Sequence, residues 1–393
     1  MNPPHGLAAA TRRRDPGPWP DAAQTLLLHA ALGDSNRARE AVARLRDSID
    51  LAGLDPASRR ILPLVWWNLQ RHQIHDANPD AFKRSFAETW VRNQQIVEAL
   101  GAVLAAFQSA AVPLILFKGA GLALGTYANI GLRPMVDIDI LVPHSAMTDA
   151  SRLLEALGAV RSSKDPAQRR AMLHGIEYVF EREQDSVAID LHQSALWECR
   201  RPGDDDRFWA DSIALPGTIL GARTLCPAHH LIVVCVHGLR WSQVRPIHWI
   251  ADAMTLIDKA QPSMDWPRVV AEARRRRVEW TLAVALRFLA EVFQAGVPAT
   301  VIEELASSRS PLRDRLELAC RSRRPDPLRG LVLHWFDHTR RSAFSSLPKR
   351  LIRFPAYLRE MWALDSLWAV PAQGFHKALR RWGLSTRKRD TRE

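Results

Sequence analysis

Two aspartates one residue apart, Asp137 and Asp139, lie in a short apolar run with Ile138 and Ile140. Alternate residues of a β-strand point to the same side, so this spacing places both carboxylates on one face and both isoleucines on the other. Neighbouring carboxylates repel each other unless a cation lies between them, and oxygen ligands suit Mg²⁺ or Mn²⁺. The pair therefore predicts a divalent metal site, with a polar strand edge as the alternative.

A third carboxylate, Asp190, lies inside a second apolar run. If the two strands are neighbours, three carboxylates converge and can hold two metal ions, as in-line phosphoryl or nucleotidyl displacement requires. A further strand-length run ends at Lys118-Gly119. The joint occurrence of this Lys-Gly pair with two aspartate-bearing strands is far more specific than the Asp137–Asp139 spacing alone.

The elements that must position these residues form a compact unit at residues 112–199. Strand-length patterns are followed or separated by short helical ones, which predicts a small mixed sheet. The predicted strands are 113–117, 137–142, 177–181 and 187–192.

Helical periodicity precedes this unit at 21–111 and follows it at 200–307. In the second range the predicted helices are 228–239, 248–259, 266–276, 280–293 and 300–307. A basic, Trp-containing helical region is predicted at 308–383, with a proline-rich disordered tail at 1–20 and a basic tail at 384–393. The fold class is therefore α+β, with a small mixed-sheet core flanked by N-terminal and C-terminal helical regions.

The 393 residues carry a net charge of +12 and are 47% hydrophobic and 24% charged, which excludes a disordered or low-complexity chain. Residues 261–393 hold 26 basic and 14 acidic residues, so the whole excess of positive charge lies in the C-terminal third. Such charge attracts phosphates, nucleic acid or an acidic membrane surface, which makes an acidic partner one interpretation. Solvated helix faces, as for the run Arg274 to Arg277, are the other.

The four cysteines form no CxxC pair, and no apolar run approaches the roughly 20 residues that a membrane span needs. Met1 is not followed by a basic segment and then an apolar one, the pattern of a secretion signal. We therefore expect a cytoplasmic protein that is not integral to a membrane.

The run LFKGAGLALGTYANIGLRPMVDIDILV at 116–142, together with VAIDLHQSALW at 187–197, resembles the uncharacterised bacterial nucleotidyltransferase family of the polymerase-beta nucleotidyltransferase superfamily. Similar helical blocks follow, HWIADAMTLID at 248–258 and DWPRVVAEARRRRVEWTLAVALRFLAEVF at 265–293. The resemblance covers most of 21–305, and its most specific part is the Leu-Arg-Pro-Met-x-Asp-Ile-Asp element.

The resemblance implies roles for five residues. Asp137 and Asp139 match the metal-binding acid pair, and Asp190 matches the third acid, which binds one metal and helps to deprotonate the incoming hydroxyl. Lys118 and Gly119 fall where the superfamily has its phosphate-binding turn, so the backbone there is expected to approach the β- and γ-phosphates of a nucleoside triphosphate (NTP).

Four further residues are candidates for substrate binding. Arg133 either contacts phosphate or forms a salt bridge with the acid cluster. His192 shares a strand face with Asp190, and His237 and Asp252 lie at family-like positions in the following helices. Ala120 departs from the superfamily, which usually has Ser or Gly at that position.

The function predicted from these residues is Mg²⁺- or Mn²⁺-dependent transfer of a nucleoside monophosphate from NTP to an unidentified acceptor, which could be a small molecule, a protein or RNA. A toxin-like enzyme that modifies RNA or tRNA is an alternative, motivated by the basic C-terminal third. A catalytically degenerate module that binds a nucleotide or a partner is another.

Overall fold

A computed structural model describes residues 17–48, 53–75, 79–162, 175–181, 186–215, 221–307, 310–342, 346–362 and 364–381. The described part begins with helices α1 to α5, which are Ala22–Leu32, Ser35–Ser48, Pro56–Arg59, Leu62–Arg71 and Pro79–Ser109. Helix α1 opens with a capping box: the Gln24 amide donates to the Asp21 carboxylate, and the Asp21 amide donates to the Gln24 side chain.

A seven-stranded mixed sheet follows in the described residues. Its strands β1 to β7 are Ile115–Leu116, Asp137–Leu141, Val160–Arg161, Gly175–Glu181, Ser186–His192, Ile213–Ala214 and Arg223–Thr224. Their order across the sheet is β3-β4-β5-β2-β1-β7-β6. Strand β2 pairs antiparallel with β1 and parallel with β5. The predicted α+β fold with a small mixed sheet between helical regions is confirmed.

The sequence pattern predicts four strands, so β3, β6 and β7 are additional. Each is two residues long, too short to show an alternation of apolar and polar residues. Strands β6 and β7 continue the sheet past residue 199, where the sequence pattern places the end of the core unit.

In the described residues, three α-helices lie within the range of the sheet: α6 (Lys118–Gly125), α7 (Met147–Ala156) and α8 (Asp206–Ala210). The helices after the sheet, α9 to α17, are Pro227–Gly238, His248–Ala260, Trp266–Arg276, Glu279–Phe293, Ala299–Ala306, Pro311–Arg321, Pro327–Arg341, Leu347–Met361 and Ala369–Arg381. Helices α9 to α13 agree with their predicted bounds to within one residue. Helices α14 to α17 lie in the region 308–383, which is predicted to be helical.

Two large apolar cores, and a small cluster between α16 and α17, hold the described elements together. One face of β2 and β5, with Ile138 and Ile189, packs against Leu100 and Phe107 of α5. The larger core joins residues from α1 and α4 to residues from α9 to α13. The helical ranges before and after the sheet therefore share one core, while the division of the chain into domains stays a prediction.

Residues 17–20 differ from the tail predicted at 1–20. The Trp19 ring lies 4.6 Å from the ring of Phe288 and 6.3 Å from that of Trp249, measured between centroids. This aromatic contact anchors the residues that precede α1. The rest of the predicted N-terminal tail and the tail at 384–393 lie outside the described residues.

The four cysteines are buried free thiols. Among the helices of the described ranges, none combines the length and the apolar character that crossing a bilayer would need.

Helix α6 packs closely on the sheet at Gly121. A Cβ atom at this position would lie 2.5 Å from the carbonyl oxygen of Leu116 and 2.7 Å from Oγ1 of Thr224. Both distances are shorter than non-bonded atoms tolerate, and one of the neighbours is backbone. Glycine is therefore required at residue 121 for the helix to lie against β1 and β7.

We expect Gly121→Ala to lower the free energy of unfolding by about 2 kcal/mol, because the methyl group overpacks a rigid contact. Gly101→Ala is the matched control: it lies within α5, and nothing is within 4 Å of its added Cβ. Alanine there should stabilise by about 0.5–1 kcal/mol, since glycine is a poor helix residue. Urea unfolding of both variants measures the difference. Equal effects would show that the contact at residue 121 is not limiting.

A network of buried charges joins the segment after β5 to the C-terminal helices. Glu198 contacts Arg240, and its Oε1 lies 3.3 Å from Nε of Arg321. Arg321 also contacts Asp337 at 2.8 Å and Glu317 at 2.9 Å. Burial by itself raises the pKa of Glu198, but Arg240 and Arg321 outweigh it and lower the pKa to about 2.

This depressed pKa makes stability depend on acid. The contribution of Glu198 is complete above its unfolded pKa of 4.5 and is lost as the pH falls towards 2, with a magnitude of about 2–3 kcal/mol. We expect Glu198→Gln to be less stable than wild type at pH 7 but to lose stability less steeply between pH 4.5 and 2. Urea unfolding at stepped pH measures both slopes. Exposed Glu291→Gln is the control, and a Glu198→Gln slope identical to that of wild type would contradict the assignment.

Candidate active site

The parallel pairing of β2 with β5 brings the predicted acids together. Asp139 lies directly opposite Asp190 in the register, and Asp137 lies opposite Ala188. Paired residues on neighbouring strands project to the same face, so the three carboxylates share one side of the sheet. The neighbouring strands that the sequence reasoning required are present. The roles of the three residues stay predictions.

Lys118 and His192 complete the group around Asp139. The Lys118 ammonium donates to Oδ1 of Asp139 at 2.7 Å, and Nε2 of His192 lies 2.9 Å from the same oxygen. His192 Nε2 is also 4.0 Å from Oδ2 of Asp190. Asp139 is buried, with 5% of its side chain exposed, whereas Asp190 is 36% exposed. The group is therefore open to solvent on the Asp190 side.

The backbone at Lys118 is strained. Its φ of +46° lies in the left-handed region, which costs a residue with a side chain about 1 kcal/mol or more. Lys118 is the first residue of α6, and the residue before it, Phe117, makes no side-chain capping hydrogen bond. The strained start of the helix therefore directs the ammonium to Asp139 and leaves the first-turn amides without a cap.

The charges of the site shift its pKa values in opposite directions. Burial and the neighbouring Asp139 raise the pKa of Asp137 to about 6. Burial, Asp139 and Asp137 raise the pKa of Asp190 to about 7. Burial also tends to raise the pKa of Asp139, but Lys118 and His192 outweigh burial and lower that pKa. Burial and Lys118 lower the pKa of His192 to about 4, so its ring is neutral at pH 7.

These observations test whether the residues fit a metal ion. One ligand atom each from Asp139, Asp190 and His192 lie within 4.8 Å of one another. Two carboxylates with a neutral imidazole form a donor set for a divalent cation, and a cation would relieve the repulsion that raises the pKa of Asp190. The set therefore fits a divalent metal. His192 is in this group in addition to two of the predicted ligands, and the metal role of Asp137 stays a prediction.

Arg133 and Asp252 are paired with each other. Nε and Nη2 of Arg133 donate to the two Asp252 oxygens at 3.2 and 3.0 Å, and the Tyr127 hydroxyl donates to Oδ1 of Asp252 at 2.7 Å. Burial tends to lower the pKa of Arg133, but Asp252 outweighs it and raises the pKa. The salt-bridge interpretation of Arg133 is thus the observed one, with Asp252 as its partner in place of the acid cluster.

Gly119 and His237 lie beside this group. A Cβ atom at Gly119 would be 3.0 Å from Nη1 of Arg133, so a glycine lets the guanidinium pack against the turn. His237 is exposed near the end of α9 and feels the charge of Lys118. The substrate-binding roles of Gly119 and His237 stay predictions.

Glu177 is a neighbour that the sequence reasoning missed. It lies opposite Asp190 on β4, so Asp139, Asp190 and Glu177 form a row across three strands. Glu177 also contributes to the raised pKa of Asp190. The available signal was weak, because Glu177 is the first residue of the strand predicted at 177–181 and a second glutamate, Glu181, ends that strand.

A comparison with protein families assigns the chain to a family. The chain belongs to a family described as uncharacterised nucleotidyltransferases, whose model matches residues 57–294. Among solved structures, an antigenic nucleotidyltransferase-like protein from Paracoccidioides brasiliensis is similar, with 13% sequence identity and a TM-score of 0.34 over 53% of this chain and 96% of the other. The comparison with curated proteins gives no match.

The Arg133–Asp252 pair predicts a large effect on stability. Asp252→Ala leaves a buried guanidinium without its carboxylate, so we expect the free energy of unfolding to fall by about 3–5 kcal/mol. Asp149→Ala, which breaks the exposed pair with Arg152, should cost less than about 1 kcal/mol. Chemical denaturation measures both variants. A loss of less than about 1 kcal/mol in Asp252→Ala would show that the pair is not structural.

Proposed function

We propose that the protein is a metal-dependent nucleotidyltransferase of the polymerase-beta type, which transfers a nucleoside monophosphate from NTP to an acceptor. The observation that carries the proposal is the register of β2 and β5, which sets Asp139 opposite Asp190 with Lys118 and His192 in contact with Asp139. Membership of a nucleotidyltransferase family supports the reaction type.

In this proposal Asp139, Asp190 and His192 hold a divalent metal, Mg²⁺ or Mn²⁺, with Asp137 as a neighbouring acid. A metal held by these residues would supply positive charge against the triphosphate. Lys118 places a further positive charge beside the metal site. The uncapped first turn of α6 offers amide donors to phosphate oxygens. The chain's own groups thus bind and orient the triphosphate.

The reaction exchanges one phosphorus–oxygen bond for another. The acceptor oxygen attacks the α-phosphorus, the bond from that phosphorus to the β-phosphate oxygen breaks, and pyrophosphate leaves. The proton of the acceptor hydroxyl passes to a carboxylate oxygen of Asp190, which is more exposed than Asp139 and so faces an incoming acceptor. His237, exposed beside the site, is a candidate contact for that acceptor.

Binding and turnover should depend together on the acids. We expect Asp139→Asn to weaken Mn²⁺-dependent NTP binding and to lower transfer of an α-phosphate label to a component of a cell extract, each by at least about a hundredfold, because the site loses the charge that holds the cation. Isothermal titration and radiolabel transfer measure the two effects.

Asp149→Asn is the matched control, since Asp149 is an exposed acid on α7, and it should leave both quantities unchanged. NTP binding that is indifferent to Asp139→Asn and to chelation of the metal would contradict the proposal and favour a degenerate binding module.

A further inference from the structure

A second region of concentrated charge lies away from the acid site. A cavity of about 110 Å³ is formed by the segment after β5, the end of α11 and the end of α15. Its lining includes Arg200 and Arg201 from the first, Arg275 to Arg277 from the second, and Arg340 and Arg341 from the third. Arginines therefore outnumber the lining carboxylates of Glu198, Asp204 and Asp337.

Four of these arginines are paired with carboxylates. Nη2 of Arg200 lies 3.3 Å from Asp337, and Arg340 lies 2.6 Å from Glu317. Arg275 and Arg276 share Glu272, at 2.6 and 2.7 Å, and Arg276 also contacts Asp205 at 2.8 Å. These pairs make the wall rigid and use up the nearby negative charge.

The remaining positive charge has no carboxylate to neutralise it. Within the described ranges, no ion pair involves Arg201, Arg277 or Arg341. In the same ranges, the buried guanidinium nitrogens without a hydrogen-bond partner include three from this lining: Nη1 of Arg200, Nη2 of Arg201 and Nε of Arg340, besides Nη1 of Arg276, which lies 2.8 Å from Asp205. The Arg200 side chain is only 2% exposed. Buried donors without acceptors are costly, so these nitrogens favour an acceptor within the cavity.

The backbone conformation of Arg277 is a further observation about this cavity. This residue ends α11 with a φ of +55°, a position where glycine is favoured because it has no Cβ. An arginine occupies this position despite the conformational cost, and it is one of the residues that line the cavity.

We propose that this cavity binds the phosphate group of a small phosphorylated molecule. Guanidinium groups present their donors in planar forks that match phosphate oxygens. The buried donors of Arg200 and Arg340 suit a small anion that enters the cavity, whereas a nucleic-acid backbone follows exposed cations along a groove. None of the cavity arginines belongs to the acid site, so this proposal does not depend on the proposed transferase reaction.

The test uses the full chain in a chelator, with inorganic orthophosphate and inorganic diphosphate as titrants in isothermal titration calorimetry. We expect saturable binding at one site. Arg201→Gln, Arg277→Gly and Arg341→Gln should each weaken it at least about tenfold, because each removes a charged donor. Arg277→Gly should also melt at or above the wild-type temperature, since glycine relieves the left-handed backbone. Weaker binding in a variant that is no less stable separates a ligand role from a structural one.

Arg353→Gln removes the same charge from an exposed position on α16 and should leave binding unchanged. Tighter binding of diphosphate than of orthophosphate would identify a diphosphate-bearing ligand. Equal binding of the two anions would identify a phosphomonoester. The proposal is wrong if neither anion saturates, or if Arg353→Gln weakens binding as much as the cavity variants. It is also wrong if Asp139→Asn abolishes anion binding, because the anion would then lie at the acid site. Loss of transfer activity in Asp139→Asn with anion binding intact would keep the two proposals separate.

Discussion

The parallel pairing of β2 with β5 is the constraint on which the candidate site depends. It sets Asp139 beside Asp190 at equal height in the sheet, and a shift of one residue would turn one of these carboxylates into the apolar core. Ile138 and Ile189 fill that core on the opposite face. The hydrophobic effect therefore fixes the register, and the register holds two like charges together against their repulsion.

That repulsion is balanced locally by Lys118 and His192. Both contact the same oxygen of Asp139, which is the most deeply buried carboxylate of the group. Asp190 receives no comparable contact, so its charge is the one that burial and neighbouring acids disfavour. The site is therefore stable, although its positive charges do not fully balance the negative charges of its carboxylates. A divalent cation shared by Asp139, Asp190 and His192 would supply the missing positive charge.

The strands and acids could be predicted from the sequence because their signals are local. Alternation in Asp137–Leu141 and Ser186–His192 defines which side chains share a face, and only the adjacency of the two strands had to be assumed. The partner of Arg133 could not be predicted in this way. Asp252 lies 119 residues further along the chain, and its approach depends on how α10 packs in the core shared by the helices before and after the sheet. Strands β6 and β7 have two residues each, so they show no alternation from which they could be predicted.

The excess positive charge shows the same limit of local reasoning. The run Arg274 to Arg277 is consistent with a solvated helix face, yet Arg276 is buried between Glu272 and Asp205. One of these acids, Asp205, lies in a different segment, so the sequence shows the amount of charge but not its full compensation. Arg201 and Arg341 line the cavity beside it, and in the part of the chain that the structure describes neither forms an ion pair with a carboxylate. The C-terminal third therefore contains buried structural ion pairs and positive charge that these pairs leave uncompensated. That uncompensated charge lies at a cavity between elements and not on an exposed helix face.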